Sequence, residues 1–296
     1  MLIQKELNNL NELIIETLSD KNNNIASDIS DYLSSKSKRI RPSLVFLFTK
    51  ALGFDVDEKI YHLACAVELI HNSTLVHDDI LDDAQTRRGK ISLNYKLGNS
   101  LSVLAGDILL SIALKELVKC SKTEIIDTFS QSLYLMCKGE INQNFAIGKL
   151  PTMNEYIKKS EYKTAELFKA PLVSLAMLID NEHKINLFNF AQNFGIAFQI
   201  KDDLMNILKT DPTKPIMSDI DNGIYTAPVI FLNEQHKNIE SLSHDKIKEL
   251  IINNDEIIKK TQLLIKQYVN NAIESIDFIK DNEYKQEIIR LTNLNL

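Results

Sequence analysis

Tryptophan is absent from this 296-residue chain, and glycine (8), proline (6) and cysteine (3) are scarce. Few turn formers mean few turns, which disfavours folds of many short strands and favours long helices. The cysteines, Cys65, Cys120 and Cys137, show no CxxC spacing. They read as buried free thiols of a reducing compartment, not as a disulfide framework. No apolar run reaches the ~20 residues that span a bilayer. The opening MLIQKELNNLNELIIETL mixes charge with apolar residues and lacks a signal-peptide core. A soluble, cytoplasmic protein is expected. Asp and Glu (40) outnumber Lys and Arg (34), for a net charge of −6. That balance gives no general attraction for nucleic acid or an anionic membrane, so an anionic ligand must be held by a local cluster of cations.

What is present is helical periodicity. Leu2, Leu7, Leu10, Leu13 and Ile14 mark an opening amphipathic helix. A second short helix ends in the basic run from Lys36 to Arg41, and Pro42 suits the first turn of the next. A long apolar-rich segment covers about 59–83, and further helices are expected near 98–119, 123–147, 153–180, 184–208, 223–235 and 245–294. KTDPTKPIMSD, with two prolines, reads as a loop. There is no internal repeat or interdomain linker, so residues 1–296 read as one all-α domain.

The chemistry concentrates in HNSTLVHDDILDDAQTRRGK. Asp78 and Asp82 are four apart and share a helix face, and Asp79 and Asp83 repeat the relation on a neighbouring line. Four crowded carboxylates raise one another's pKa unless a cation neutralises them. Magnesium suits the place, because it takes one or two carboxylates and completes its octahedron with water and phosphate oxygens. Arg87 and Arg88 follow at once, and guanidinium groups bind phosphate bidentately. The alternative is a charged helix C-terminus whose cations offset the dipole. A second acidic pair, Asp202 and Asp203 in GIAFQIKDDLMNI, again follows an apolar run, with Gln199 and Asn206 on its face. Facing the first pair across a cavity, it could share a cluster of magnesium ions. Lys36, Lys38, Arg39 and Arg41 form either a solvated basic loop or, beside His71, a second anion site.

Together these residues resemble the trans-type polyprenyl diphosphate synthases. The family's basic segment, first aspartate-rich motif with two arginines, KT pair and FQxxDDxxD read here as SKRIRP, HDDILDDAQTRRGK, YKTAELF and FQIKDDLMN, in order over roughly 35–230. The resemblance implies an all-α bundle of ten or more helices around a deep central cavity, the isoprenoid synthase type I fold, as a homodimer. It implies Mg2+, two or three ions, on Asp78, Asp82 and Asp202, with Asp79 and Asp203 as second or alternate ligands. Lys38, Arg41, His71 and Arg88 match the isopentenyl diphosphate site. Arg87, Lys163, Thr164, Gln199 and Lys214 match positions that handle the allylic diphosphate, and Lys163 counts with the three aspartates as catalytic.

Three elements depart from the pattern. The glycines before the basic segment are Lys36 and Ser37, the last aspartate of the second motif is Asn206, and the late GK is Gly223-Ile224, which removes one cationic phosphate contact. Small Ser73 and Thr74, one helical turn before Asp78, leave room for a growing tail and point to a medium-to-long product, hexa- to octaprenyl. The competing readings are a geranylgeranyl or farnesyl diphosphate synthase, a class I terpene cyclase, and a regulatory subunit of a heteromeric synthase.

Overall fold

A computed structural model of the chain describes residues 2–18, 25–34, 37–179, 182–208 and 217–293. Its internal contacts separate two compact units: Met1–Phe129 with Pro171–Glu182 and Ile279–Ile288, and Ser130–Ala170 with His183–Phe278 and Ile289–Leu296. The described residues are overwhelmingly helical, with more than ten helices and one two-stranded ribbon.

The first unit opens with α1 (Gln4–Thr17), α2 (Ala26–Leu33) and α3 (Ile40–Ala51), where Pro42 lies in the first turn as expected. Helix α4 (Glu58–Leu81) starts on Asp57, whose carboxylate accepts from the Ile60 N–H, an ordinary acidic N-cap. Leu63, Val67 and Ile70 are buried, ordinary core side chains worth about 1.5–3 kcal/mol each when fully sequestered, and Ala66 is buried beside them. The ribbon β1 (Thr86–Arg87) and β2 (Lys90–Ile91) follows, then α5 (Leu93–Leu97) and α6 (Asn99–Lys119). Helix α6 packs along α4. Gly106 permits this, because a Cβ there would sit 2.2 Å from His77 Nε2. Ser73 fastens the same seam, its hydroxyl donating to the Gly106 carbonyl at 2.8 Å.

Helix α7 (Thr123–Phe145) runs from the first unit's sequence into the second's. Helix α8 (Met153–Ser160) opens on a capping box between Thr152 and Glu155. A π-helical turn, Glu161–Ala165, leads into α9 (Glu166–Ile179), so the helix expected over 153–180 is interrupted in the middle. Ala165 packs against Gly195 of α10 (Lys184–Ile207) so tightly that a Cβ at Gly195 would lie 2.4 Å from the Ala165 Cα. The chain continues through α11 (Ser218–Asp221), α12 (Ala227–Gln235), α13 (His244–Ile252), α14 (Asp255–Glu274) and α15 (Glu283–Thr292). The stretch 245–294, read as one helix, is therefore three. Asparagines make the breaks: Asn254 accepts from the Ile257 N–H, and Asn282 from the Lys285 N–H at 2.9 Å, each capping a new helix. Most of the expected proline loop, 209–216, lies outside the described residues, and its end forms α11.

Cys65 and Cys120 are buried, and burial pushes both thiols up, Cys120 to about 11. Cys137 is exposed on α7 and corrects the expectation of three buried thiols, since apolar neighbours in sequence there belong to an outward face. Among the described residues no helix is long and apolar enough to cross a membrane.

Candidate functional site

In the first unit the site is built where α4 stops. Asp82 is the C-cap, and its N–H still bonds the Asp78 carbonyl at 2.8 Å, so Asp78 and Asp82 keep the one-turn spacing expected of them. Asp83 has φ +48°, and the N–H groups of Asp83 and Ala84 turn back to the carbonyls of Ile80 and Asp79. This is a Schellman ending with aspartate in the left-handed position that usually takes glycine. Asp79 and Asp83 are consequently not a helical pair, which corrects the sequence reading.

The aspartates also differ in surroundings. Asp82 is exposed and Asp78 half-buried, whereas Asp79 is 1% exposed. Asp79 Oδ1 accepts from Arg87 Nε at 2.7 Å and from Arg87 Nη2, and its Oδ2 lies 3.5 Å from the Tyr32 hydroxyl. Burial pushes the Asp79 carboxyl upward, and the Arg87 guanidinium opposes it. Asp79 thus holds Arg87. Sequence reasoning did not anticipate the ribbon that presents the arginines. Arg88 and Gly89 have φ of +53° and +75° between the paired residues Arg87 and Lys90, a two-residue type I′ hairpin for which X-Gly was the available signal.

The basic segment before α3 joins the same neighbourhood. Arg39 bonds buried Glu68 at 3.0 Å, Lys38 is exposed, and Arg41 Nη1 lies 3.4 Å from His71 Nε2. Burial, then the charges of Arg41, Arg88, Arg87 and Arg39, hold His71 well below the usual histidine range, so its ring is neutral at pH 7. Burial lowers Arg41 to about 10, Glu68 opposes and Arg88 adds repulsion, leaving Arg41 charged. Arg39, Arg41, His71, Arg87 and Arg88 therefore lie within electrostatic reach of one another, the local cationic cluster that a net-negative chain needs to hold an anion. Ser73 is 2% exposed at the α4–α6 seam, and Thr74 is half-buried with its hydroxyl on the His71 carbonyl at 2.8 Å. The small size of Ser73 serves helix packing.

In the second unit Asp202 is exposed near the end of α10, and Asp203 is buried. Asp203 accepts from the Tyr156 hydroxyl at 2.6 Å and from Gln199 Nε2 at 2.7 Å, while Thr164 donates to Gln199 Oε1. Burial raises the Asp203 carboxyl to about 6, against the pull of Lys159. The network orients Gln199 and Thr164, as Asp79 orients Arg87. Lys163 bonds Glu140 at 3.0 Å from the π-turn, an irregularity frequent at functional sites because the extra residue redirects side chains. Asn206 donates from Nδ2 to Ser218 Oγ at 3.0 Å, a bond that engages its amide nitrogen and not its oxygen. Lys214 and Lys36 lie outside the described residues. A cleft of about 480 Å³ in this unit is lined by Tyr156, Lys159, Tyr162 and Ile224 among others.

Among the described residues no three His, Cys, Asp or Glu side chains converge as a closed metal cage. Magnesium does not require one, and the pair Asp78 and Asp82 fits its usual complement of one or two carboxylates.

The family described as Polyprenyl synthetase matches residues 23–266. The decaprenyl-diphosphate synthase of Dictyostelium discoideum is 31% identical over 320 residues, covering 99% of this chain and 70% of that protein. Heptaprenyl diphosphate synthase from Staphylococcus aureus has a crystal structure similar to this one with a TM-score of 0.92, at 27% identity over 98% of this chain and 96% of that one. The polyprenyl synthase from Caulobacter crescentus CB15, solved with calcium and isoprenyl diphosphate, gives 0.89 at 25% identity, over 99% and 94%. The all-α expectation holds in its type I isoprenoid synthase form, and the motif order read from the sequence has its explanation: this chain belongs to the polyprenyl synthetase family.

Proposed function

We propose that the protein condenses isopentenyl diphosphate with an allylic prenyl diphosphate to give a medium-to-long all-trans chain, hexa- to octaprenyl. The observation that carries this is the division of labour at the end of α4. Buried Asp79 holds Arg87, while Asp78 and Asp82 stand a turn apart at the end of the same helix and are less buried. Asp78, Asp82 and Asp202 would bind Mg2+, two or three ions on the family pattern. When bound, the metal neutralises diphosphate charge and eases opening of the allylic C–O bond.

The chain's own groups do the remaining work. Arg87, Lys163, Lys214 and the network-held Thr164 and Gln199 bind and orient the allylic diphosphate. Lys38, Arg41, neutral His71 and Arg88 bind isopentenyl diphosphate so that its double bond meets the allylic cation. The proton lost afterwards goes to the departed diphosphate. Thr74, half-buried beside the metal turn, and to a lesser degree Ser73, would influence product length.

The same proposal takes the chain as one functional domain, since the family match draws on both units. It takes the active form as a cytoplasmic homodimer. The exposed apolar residues Leu104, Leu114 and Val118 on α6 offer a surface for a second copy. A terpene cyclase or a regulatory subunit is not favoured, given the complete HDDILDD motif and the basic segment before α3. The reading is tested by following diphosphate release from an allylic primer with and without isopentenyl diphosphate. A synthase releases it rapidly only with both, whereas release from the primer alone, with a cyclic product, would contradict the proposal.

A further inference from the structure

Lys159, on the last turn of α8, stands apart from its neighbours in the cleft of the second unit. Lys158 is paired with Glu161 at 2.9 Å, and Lys149 reaches the Phe145 carbonyl at 3.4 Å. Lys159 is half-buried, with its ammonium 5.7 Å from the centre of the Tyr156 ring, and no carboxylate bonds it among the described residues. The acid within reach is Asp203, but both of its oxygens are already occupied by Tyr156 and Gln199. Burial, the largest effect, lowers the Lys159 ammonium and Lys163 adds repulsion, whereas Asp203, Asp219 and Glu140 support its charge.

A half-buried ammonium without a hydrogen-bonded counter-ion is a cost to the folded protein unless an anion completes it. The same cleft is lined by Ile224, an aliphatic side chain at the position where the family pattern described above carries the lysine of its late GK. Ile224 is fixed there by its N–H on the Asp219 carbonyl at 2.7 Å, and its hydrocarbon side chain supplies no charge. The cleft thus lacks a cation at one wall and holds an unpaired one at another.

We propose that Lys159 supplies the cationic diphosphate contact that Ile224 cannot, so that the second unit binds the allylic diphosphate through a lysine from α8 instead of one after α11. This rests on the synthase reading above. It assigns to Lys159 a direct contact with a diphosphate oxygen, and to the Lys159–Ile224 pair an exchange of positions for one charge.

The test titrates inorganic diphosphate with Mg2+ into the full chain by calorimetry and follows thermal unfolding of the metal-free protein. Lys159→Met is expected to weaken diphosphate binding by about tenfold or more, the worth of one charge-assisted hydrogen bond. Its metal-free form should melt at or above the wild-type temperature, because an unpaired charge has been removed. Lys159→Gln, which keeps a polar head, serves as a second variant with the same expectation should the methionine variant aggregate. Lys159→Met combined with Ile224→Lys should regain most of the affinity. Wild-type affinity in Lys159→Met together with a lowered melting temperature would overturn the proposal and make Lys159 a structural charge. Loss of affinity with no recovery in the double variant would overturn the exchange. If the wild type itself binds no diphosphate with Mg2+, the synthase reading fails and this proposal with it, an outcome distinct from the other two.

Discussion

Replacing Asp79 by Asn should damage the fold, and replacing Asp82 by Asn should not, although the two stand three residues apart in one motif. Asp79 is 1% exposed and accepts from Arg87 at 2.7 Å and again from Nη2, with Tyr32 at 3.5 Å. Breaking a fully buried ion pair costs about 3–5 kcal/mol. The Arg87 side chain is 23% exposed, so water can solvate part of the orphaned guanidinium and the amide keeps one acceptor. A loss of about 2–3 kcal/mol is therefore expected, which for a chain of this size lowers Tm by roughly 4–10 °C. Asp82 is exposed, and its loss relieves repulsion from Asp78, so Tm should stay within about 1–2 °C of wild type. Unfolding followed by circular dichroism in the presence of a chelator measures both. A wild-type Tm for Asp79→Asn, or a drop confined to Asp82→Asn, would refute the assignment of Asp79 to Arg87 and of Asp82 to the metal.

Burial raises Asp203 from 3.8 to about 6, so the folded chain holds a proton that the unfolded chain has released between those values. The contribution of Asp203 to metal-free stability should thus be fullest below about pH 4 and be lost as pH rises to about 6, on the order of 3 kcal/mol for this one group. Asp203→Asn should flatten that window, and a slope unchanged in chemical denaturation across it would count against the shift. Thr74→Phe should shorten the main product while condensation continues, whereas Ser73→Phe should mainly destabilise, by about 1–3 kcal/mol, because it would drive a ring into the Gly106 seam. Equal product lengths for wild type and Thr74→Phe by chromatography would remove Thr74 from length control. Substitutions at Lys38, Arg41 or His71 should raise the KM for isopentenyl diphosphate more than that for the primer, and Lys163→Ala the reverse. Equal effects on both substrates would argue against two anion sites.

The one-turn spacing of Asp78 and Asp82 was legible because helix geometry is local: four residues at 3.6 per turn put Asp78 beneath Asp82 whatever surrounds them. What surrounds them was not. Nothing in DDILDD says that Asp79 turns inward, because that depends on Tyr32 from another helix and Arg87 from the ribbon. The ribbon itself was obscured by the attention that two arginines draw as phosphate ligands, although Arg88-Gly89 carries the hairpin signal. The π-turn ends at Ala165, where the chain packs closely on Gly195, a contact thirty residues apart that periodicity cannot register. The breaks at Asn254 and Asn282 were concealed by abundant asparagine along the whole chain, only some of which caps a helix. Ser73 was correctly read as small, yet its size answers to α6 packing, a distinction that needed the 2.8 Å bond to Gly106.

The central claim, chain elongation on a magnesium-held diphosphate, is tested most directly by incubating the wild-type protein with labelled isopentenyl diphosphate, Mg2+ and allylic primers of several lengths, and sizing the product. Label in a hexa- to octaprenyl diphosphate, abolished by chelator and by Asp82→Ala in a protein that keeps its helical spectrum, is the predicted result. No incorporation, or a product that stops at farnesyl or geranylgeranyl length, would contradict the account.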